Sequence, residues 1–207
     1  MSNQDAMTRQ LEAVAYWIHG LRQLQSLRLK SHDENNQPWD LHLHSFLDHK
    51  NLSSVYLLGR IKTPSVISEF PENLIELTLS ASALTEDPMQ RLVNLKKLRI
   101  LQLFSESYVG EKMCCPQNSF LELQVLKLWK LKKLKDWIVE EGALSQLSFL
   151  EVRSCPLLHK LPDGLQHVKN QIHEFELSDL PREFTEGIED SNSEDRREIE
   201  HVHHVST

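Results

Sequence analysis

Large aliphatic residues recur along the chain in one short pattern, Leu-x-x-Leu-x-Leu or a close apolar version, whose core begins at Leu24, Leu52, Leu74, Leu98, Leu123, Leu147 and Ile172. Successive starts lie 28, 22, 24, 25, 24 and 25 residues apart. Self-similarity at such a period is the mark of a repeat architecture in which each unit buries its apolar face against the next. Within each copy the apolar positions alternate, which predicts a short strand, centred in turn on Arg28, Tyr56, Thr78, Gln102, Lys127, Glu151 and Glu176. Alternate side chains of a strand face opposite ways, so the leucines enter the core and the seven central residues face out. Each strand should be followed by a turn and a helical or irregular return. The fold class is therefore α/β, a leucine-rich-repeat solenoid or horseshoe. Its parallel sheet lies on the concave side and its short helices or irregular segments on the convex side.

The spacing also divides the chain. Residues 1–20 carry Leu11, Val14, Ala15 and Ile18 at helical spacing, as for an amphipathic helix that caps the first repeat. Residues 21–180 hold about seven repeats, and residues 181–207 are an acidic tail with eight acidic and three basic residues that reads as disordered. The most regular repeat is the sixth, where Leu147, Leu150, Val152, Cys155 and Leu157 fill the consensus and make Cys155 a buried ladder residue. In the third repeat Ser82 and Leu84 take the equivalent places. TEDPMQRL, from Thr85 to Leu92, has a capping residue, then acids, then Pro88 early in the turn, and predicts a short convex helix. The long first connection, SHDENNQPWDLHLHSFLDHK, is a polar loop that could reach over one edge of the concave face.

Composition narrows the functional classes. With 23 Lys and Arg against 30 Asp and Glu the net charge is -7, which argues against a general nucleic-acid binder. The start of the chain lacks a secretory pattern, and no apolar run is long enough to span a bilayer, so the expected location is cytoplasmic. Three cysteines, Cys114, Cys115 and Cys155, fit a reducing compartment, and Asn51-Leu52-Ser53 is then a glycosylation sequon in form only. Phosphate-cradling loops, nucleophile elbows and paired-cysteine spacings are all missing, so no nucleotide, cofactor, metal or enzymatic role is expected. His42, His44 and His49, with His201, His203 and His204, read as a polar loop and a solvated tail, and Cys114-Cys115 as an inter-repeat loop. In KLWKLKKLKDW the leucines are core and the lysines surface.

What remains is the outward face. Its ends are polar or charged: Ser26, Arg28 and Lys30 on one side, Glu174, Glu176 and Ser178 on the other. Repeats four to six instead place Ile100, Val125 and Phe149 in the row before the strand centre and Phe104 and Trp129 in the row after it. The first row either stands out or leans inward, half covered by neighbouring strands; Phe104 and Trp129 are expected to be exposed. Aromatic side chains interleaved with charges have the composition of a binding hot spot. The candidate partner-binding residues are Tyr56, Gln102, Phe104, Lys127, Trp129, Phe149, Glu151 and Arg153.

Several stretches, among them LRQLQSLRLKS, FPENLIELTLSASALTEDPMQRLVNLKKLRILQLF and LEVRSCPLLHKLPDGLQHV, resemble the C-terminal repeats of plant coiled-coil nucleotide-binding leucine-rich-repeat resistance proteins. The most specific element is the strand-CPxLxxLPDGL signature at Cys155, Pro156, Leu158, Leu161 and Pro162 to Leu165. The resemblance implies a recognition module in plant defence whose partner is a protein: a pathogen effector, a guarded host protein or the nucleotide-binding domain of a receptor. The coiled coil and nucleotide-binding module of that family are not in the sequence, so nucleotide exchange and oligomerisation are not implied for this chain. A substrate adaptor for ubiquitin ligation, and a truncated remnant without independent function, are the alternative classes.

Overall fold

A computed structural model describes residues 3–182 and 184 and the backbone of 205–206, with side chains from residue 8 onward. Helix α1 (Asn3–Gly20) leads into β1 (Ser26–Lys30), the two-residue β2 (Asp40–Leu41), β3 (Ser54–Leu58) and the two-residue β4 (Arg60–Ile61). Next come β5 (Glu76–Ser80), the short helix α2 (Pro88–Leu92), β6 (Ile100–Phe104) and β7 (Lys112–Cys115). β8 (Val125–Trp129), β9 (Asp136–Val139), β10 (Phe149–Arg153) and β11 (Glu174–Ser178) complete the repeats, and Val205–Ser206 form β12.

The main sheet runs β1-β3-β5-β6-β8-β10-β11-β12, with every pair parallel. Across it Arg28, Tyr56, Thr78, Gln102, Lys127, Glu151 and Glu176 stand in a single register, each the middle residue of its strand. The repeat solenoid is thus present with the strand centres that the leucine spacing predicts. Leu52, Leu74, Leu98, Leu123 and Leu147 begin the pattern in successive repeats, and all are buried in one continuous core.

The turn that closes the strand is also repeated, from β3 to β11 of the main sheet. Ala81, Ser105, Lys130, Ser154 and Asp179, each directly after its strand, take φ between 47° and 56°, and Gly59 takes φ 136°. This left-handed step bends the chain off the sheet. Each such residue up to Ser154 still donates its N–H to the last carbonyl of the next strand, as Lys130 does to Arg153 at 2.8 Å and Ser105 to Trp129 at 2.8 Å. The backbone ladder therefore runs one residue beyond the strands, and no buried amide is left unpaired there.

The convex side departs from the expectation. It carries helices and turns, and also two short parallel pairs, β2 with β4 and β7 with β9. Cys114 and Cys115 accordingly lie in β7, not in a loop, because Met113 and Cys115 alternate inward with Trp137 and Val139 of the neighbouring repeat. The predicted convex helix is α2, but its N-cap is Asp87, not Thr85; the Asp87 carboxylate accepts from Met89 N at 2.9 Å and from Cys114 N at 2.7 Å. In the sixth repeat Cys155 is fully buried, whereas Leu157 is exposed and Leu158 takes its place. A tight turn through Pro156, closed by Leu158 N on the Cys155 carbonyl, rotates the next residue inward.

The first connection does not reach over the sheet. Leu41, Phe46 and His49 are buried, Phe46 stacks on Phe70 with ring centres 5.5 Å apart, and His49 Nε2 meets the Ile18 carbonyl at 3.0 Å. That segment anchors α1, whose Ala15 and Ile18 face the core while Val14, Tyr16 and Trp17 are exposed. At the other end Phe184 packs into the core; the acidic residues beyond it, and His201, His203 and His204, lie outside the described residues.

Candidate functional site

Five-residue strands in one register turn the open sheet face into three rows of side chains. The middle of the face gathers the apolar ones: Ile100 beside Val125 beside Phe149 in the first row, and Phe104 beside Trp129 in the third. All five are half-buried. The reason for Phe104 and Trp129, expected to be exposed, is that they cover each other: their rings stack with centres 4.4 Å apart and planes 24° from parallel. The indole Nε1 of Trp129 is shielded from solvent and has no hydrogen-bond partner among the described residues.

Charges lock this patch together. Lys127 Nζ sits 2.9 Å from a carboxylate oxygen of Glu151, 4.6 Å from the centre of the Phe149 ring and 5.6 Å from that of Trp129. The Arg153 guanidinium lies 5.9 Å over Trp129 and 3.9 Å from Asp179. Cations over ring faces gain from the ring quadrupole, most where solvent is scarce. Glu151, named as a partner-binding candidate, is 7% exposed, so its carboxylate is committed to Lys127 and its contribution is to hold that lysine over the aromatics. Gln102 is half-buried and accepts a hydrogen bond from the Thr78 hydroxyl at 3.3 Å; Thr78 itself is buried.

Tyr56 lies apart from this group, toward the β1 end. Its ring receives Arg28 at 4.7 Å and Lys30 at 5.7 Å, so one aromatic presents two cations. Sequence reading placed these three residues on the face but not against one another. Only the pairing of Arg28 with Tyr56 across β1 and β3, set by a connection of unusual length, brings them together.

The chemistry set aside at the sequence level has a physical context. Burial pushes the Cys115 thiol up to about 12 and the Cys155 thiol up to about 11; burial and the nearby Glu140 and Asp87 carboxylates raise that of Cys114. Thiols held neutral in this way are poor nucleophiles. His19, His44 and His49 come near one another, with ring centres 5.9 Å and 6.2 Å from His19, but among the described residues no three ligands are placed to hold a metal ion. No helix among the described residues is long and apolar enough to cross a membrane.

No protein-family model matches the chain. It is 32% identical to a disease resistance protein of Arabidopsis thaliana, RPH8A, over 160 residues that make up 77% of this chain and 17% of that protein. It is 33% identical over 167 residues, 81% of this chain and 16% of the relative, to the probable disease resistance protein RF45 of the same plant. Disease resistance protein RPP8 of Arabidopsis thaliana matches at 32% over 65% of this chain and 14% of its own length. The homologues are thus plant disease resistance proteins, and the chain spans about one sixth of the length of the curated relatives it matches.

Proposed function

We propose that this chain is a protein-recognition module in plant defence, and that it works by reversible contact of a partner protein with the middle of the open sheet face. Its homology to plant disease resistance proteins supports the defence role. The resemblance to the C-terminal repeats of the coiled-coil class narrows the partner to a pathogen effector, a guarded host protein or the nucleotide-binding domain of a receptor. The observation that carries the contact reading is the registered block of Ile100, Val125, Phe149, Phe104 and Trp129, whose adjoining positions in the same rows, Glu76 and Ser80 on β5 and Glu174 and Arg153 beyond it, are polar.

Side chains pointing away from the leucine core of a repeat sheet are not needed to fill that core, so apolar ones there are held at the cost of solubility. Stacked aromatics with cations over them form a rigid platform that loses little side-chain entropy when a partner lands, the property of a hot spot. A standard interface buries about 800 Å² on each partner. Strands about 4.8 Å apart give a face roughly 30 Å long, which accommodates that area. Nothing in the reading requires bond-making chemistry on this chain.

Replacing Phe104 and Trp129 by alanine tests it. Proteins captured from plant extract by the wild-type chain and by the double variant are quantified side by side, after thermal melts have shown both to be folded. Partners of the face are lost with the variant; an identical set of captured proteins at unchanged affinity sinks the reading.

A further inference from the structure

Neutralisation of charge on the open face is uneven. In its middle each cation has its carboxylate: Lys127 has Glu151 at 2.9 Å and Arg153 has Asp179 at 3.9 Å. At the β1 end Arg28 and Lys30 are exposed, and among the described residues neither has a carboxylate within ion-pair distance; both lie over the ring of Tyr56. At the β11 end Glu174 and Glu176 are exposed and likewise without a basic partner among the described residues. Arg28 on the first repeat strand and Glu176 on the seventh occupy the same register position, and β12 pairs with β11 beyond it at Leu177 and Ser178. From β1 to β11 the face therefore presents two positive charges, then the half-buried Glu76 carboxylate, which accepts from the Ser54 hydroxyl at 3.1 Å and has no basic partner among the described residues, then an apolar platform, then two negative charges.

We propose that the occupant of this face is a polypeptide segment with segregated charges: carboxylates at one end that meet Arg28 and Lys30, an apolar stretch that lies on Phe104 and Trp129, and basic side chains at the other end that meet Glu174 and Glu176. The proposal rests on the reading of this face as a partner site. Geometry sets the spacing. Arg28 and Lys127 are four strands apart, roughly 19 Å, and Lys127 and Glu176 two strands apart, roughly 10 Å. At about 3.3 Å per extended residue, about six residues separate the acidic end from the apolar anchor and about three separate the anchor from the basic end. A segment with the charges mixed along its length would set like charge against like at both ends, which disfavours it. Arg28 is poised for a bidentate carboxylate, because its guanidinium plane is already held by the tyrosine ring.

The test is selection of a random twelve-residue peptide display library on the purified chain, on Arg28→Glu/Lys30→Glu, on Glu174→Lys/Glu176→Lys and on Phe104→Ala/Trp129→Ala, at low and at high salt. The four charged side chains are exposed, so the two charge variants should melt like the wild type. The expected result is enrichment of peptides with acidic and basic residues at opposite ends of an apolar core. Recovery of those peptides should drop about tenfold or more on either charge variant and fall with salt. Enriched peptides that lack charge order, and whose recovery drops only on Phe104→Ala/Trp129→Ala, overturn the segregated-charge proposal and leave the partner face standing. Recovery that is the same on the wild type and on Phe104→Ala/Trp129→Ala overturns both.

Discussion

Glu151 and Lys127 show how a residue of the sheet face takes its role from a neighbour 24 positions away. A carboxylate at 7% exposure is stable there because an ammonium group lies 2.9 Å off, itself held over Phe149 and Trp129. Removing the lysine strands a desolvated anion, which costs more than the pair contributes. Lys127→Ala is therefore expected to destabilise the chain by about 1–2 kcal/mol. The double variant Lys127→Ala/Glu151→Ala should be more stable than the sum of the two single changes predicts, by about 1 kcal/mol. Urea melts of the four proteins check this, and additivity within experimental error would show that the two groups do not depend on each other. The outward direction of both side chains was legible in the alternation of VLKLW and FLEVR. Their pairing was not, since it depends on register between strands and on which long side chain lies down over which ring. Cys155 is the converse case: its burial was readable because the consensus position itself specifies an inward side chain.

At the scale of elements the seven repeat strands of the main sheet were legible and most of the turns and convex segments were not, for one physical reason. Burial repeats with the leucines, whereas the return path is set by local backbone conformation that many sequences can adopt. The left-handed residue is Gly59 after β3 and Ala81, Ser105, Lys130, Ser154 and Asp179 after β5, β6, β8, β10 and β11, with no common side chain to announce it. The short pairs β2 with β4 and β7 with β9 arise only where successive returns happen to be extended together. The LPDGL signature gains a reason here: a Cβ on Gly164 would collide with the Val139 carbonyl of β9, so glycine lets the last return pack against the preceding one. The turn makes a sharper prediction at Lys130, which has φ 56° and an exposed side chain. Lys130→Val forces a branched Cβ into the left-handed region and should cost about 1–2 kcal/mol. Lys130→Gly removes that strain and adds unfolded-state freedom, so it should leave stability within about 0.5 kcal/mol. Thermal melts of the two variants separate them; equal melting temperatures would mean that the turn relaxes out of this conformation.

The whole molecule is a row of near-identical units, and such a row is coupled through nearest neighbours. Covering is complete in the middle, where Leu77, Leu101, Leu126 and Leu150 are inaccessible, and thinner at the ends. There Leu24 and Leu29 in the first repeat, and Ile172 and Phe175 in the last, are only partly buried against the core. Each end unit stacks on a single repeat, with α1 beside the first and the two-residue β12 beside the last, and its strand buries less apolar area. In a linear array this translates into a gradient of local stability, because an end unit can open while breaking a single interface with another repeat, whereas an inner one must break two. Native-state hydrogen exchange should therefore rank the strands, with amides of β5, β6, β8 and β10 the slowest and those of β1 and β11 the first to exchange. The aromatic platform on β6, β8 and β10 then lies in the most rigid stretch, and the free charges on β1 and β11 in the two that open most readily. A partner that engages both ends should slow exchange in β1 and β11 far more than in the middle. Uniform protection across the strands of the free chain would instead mean that the repeats unfold as one cooperative block, with no gradient of local stability.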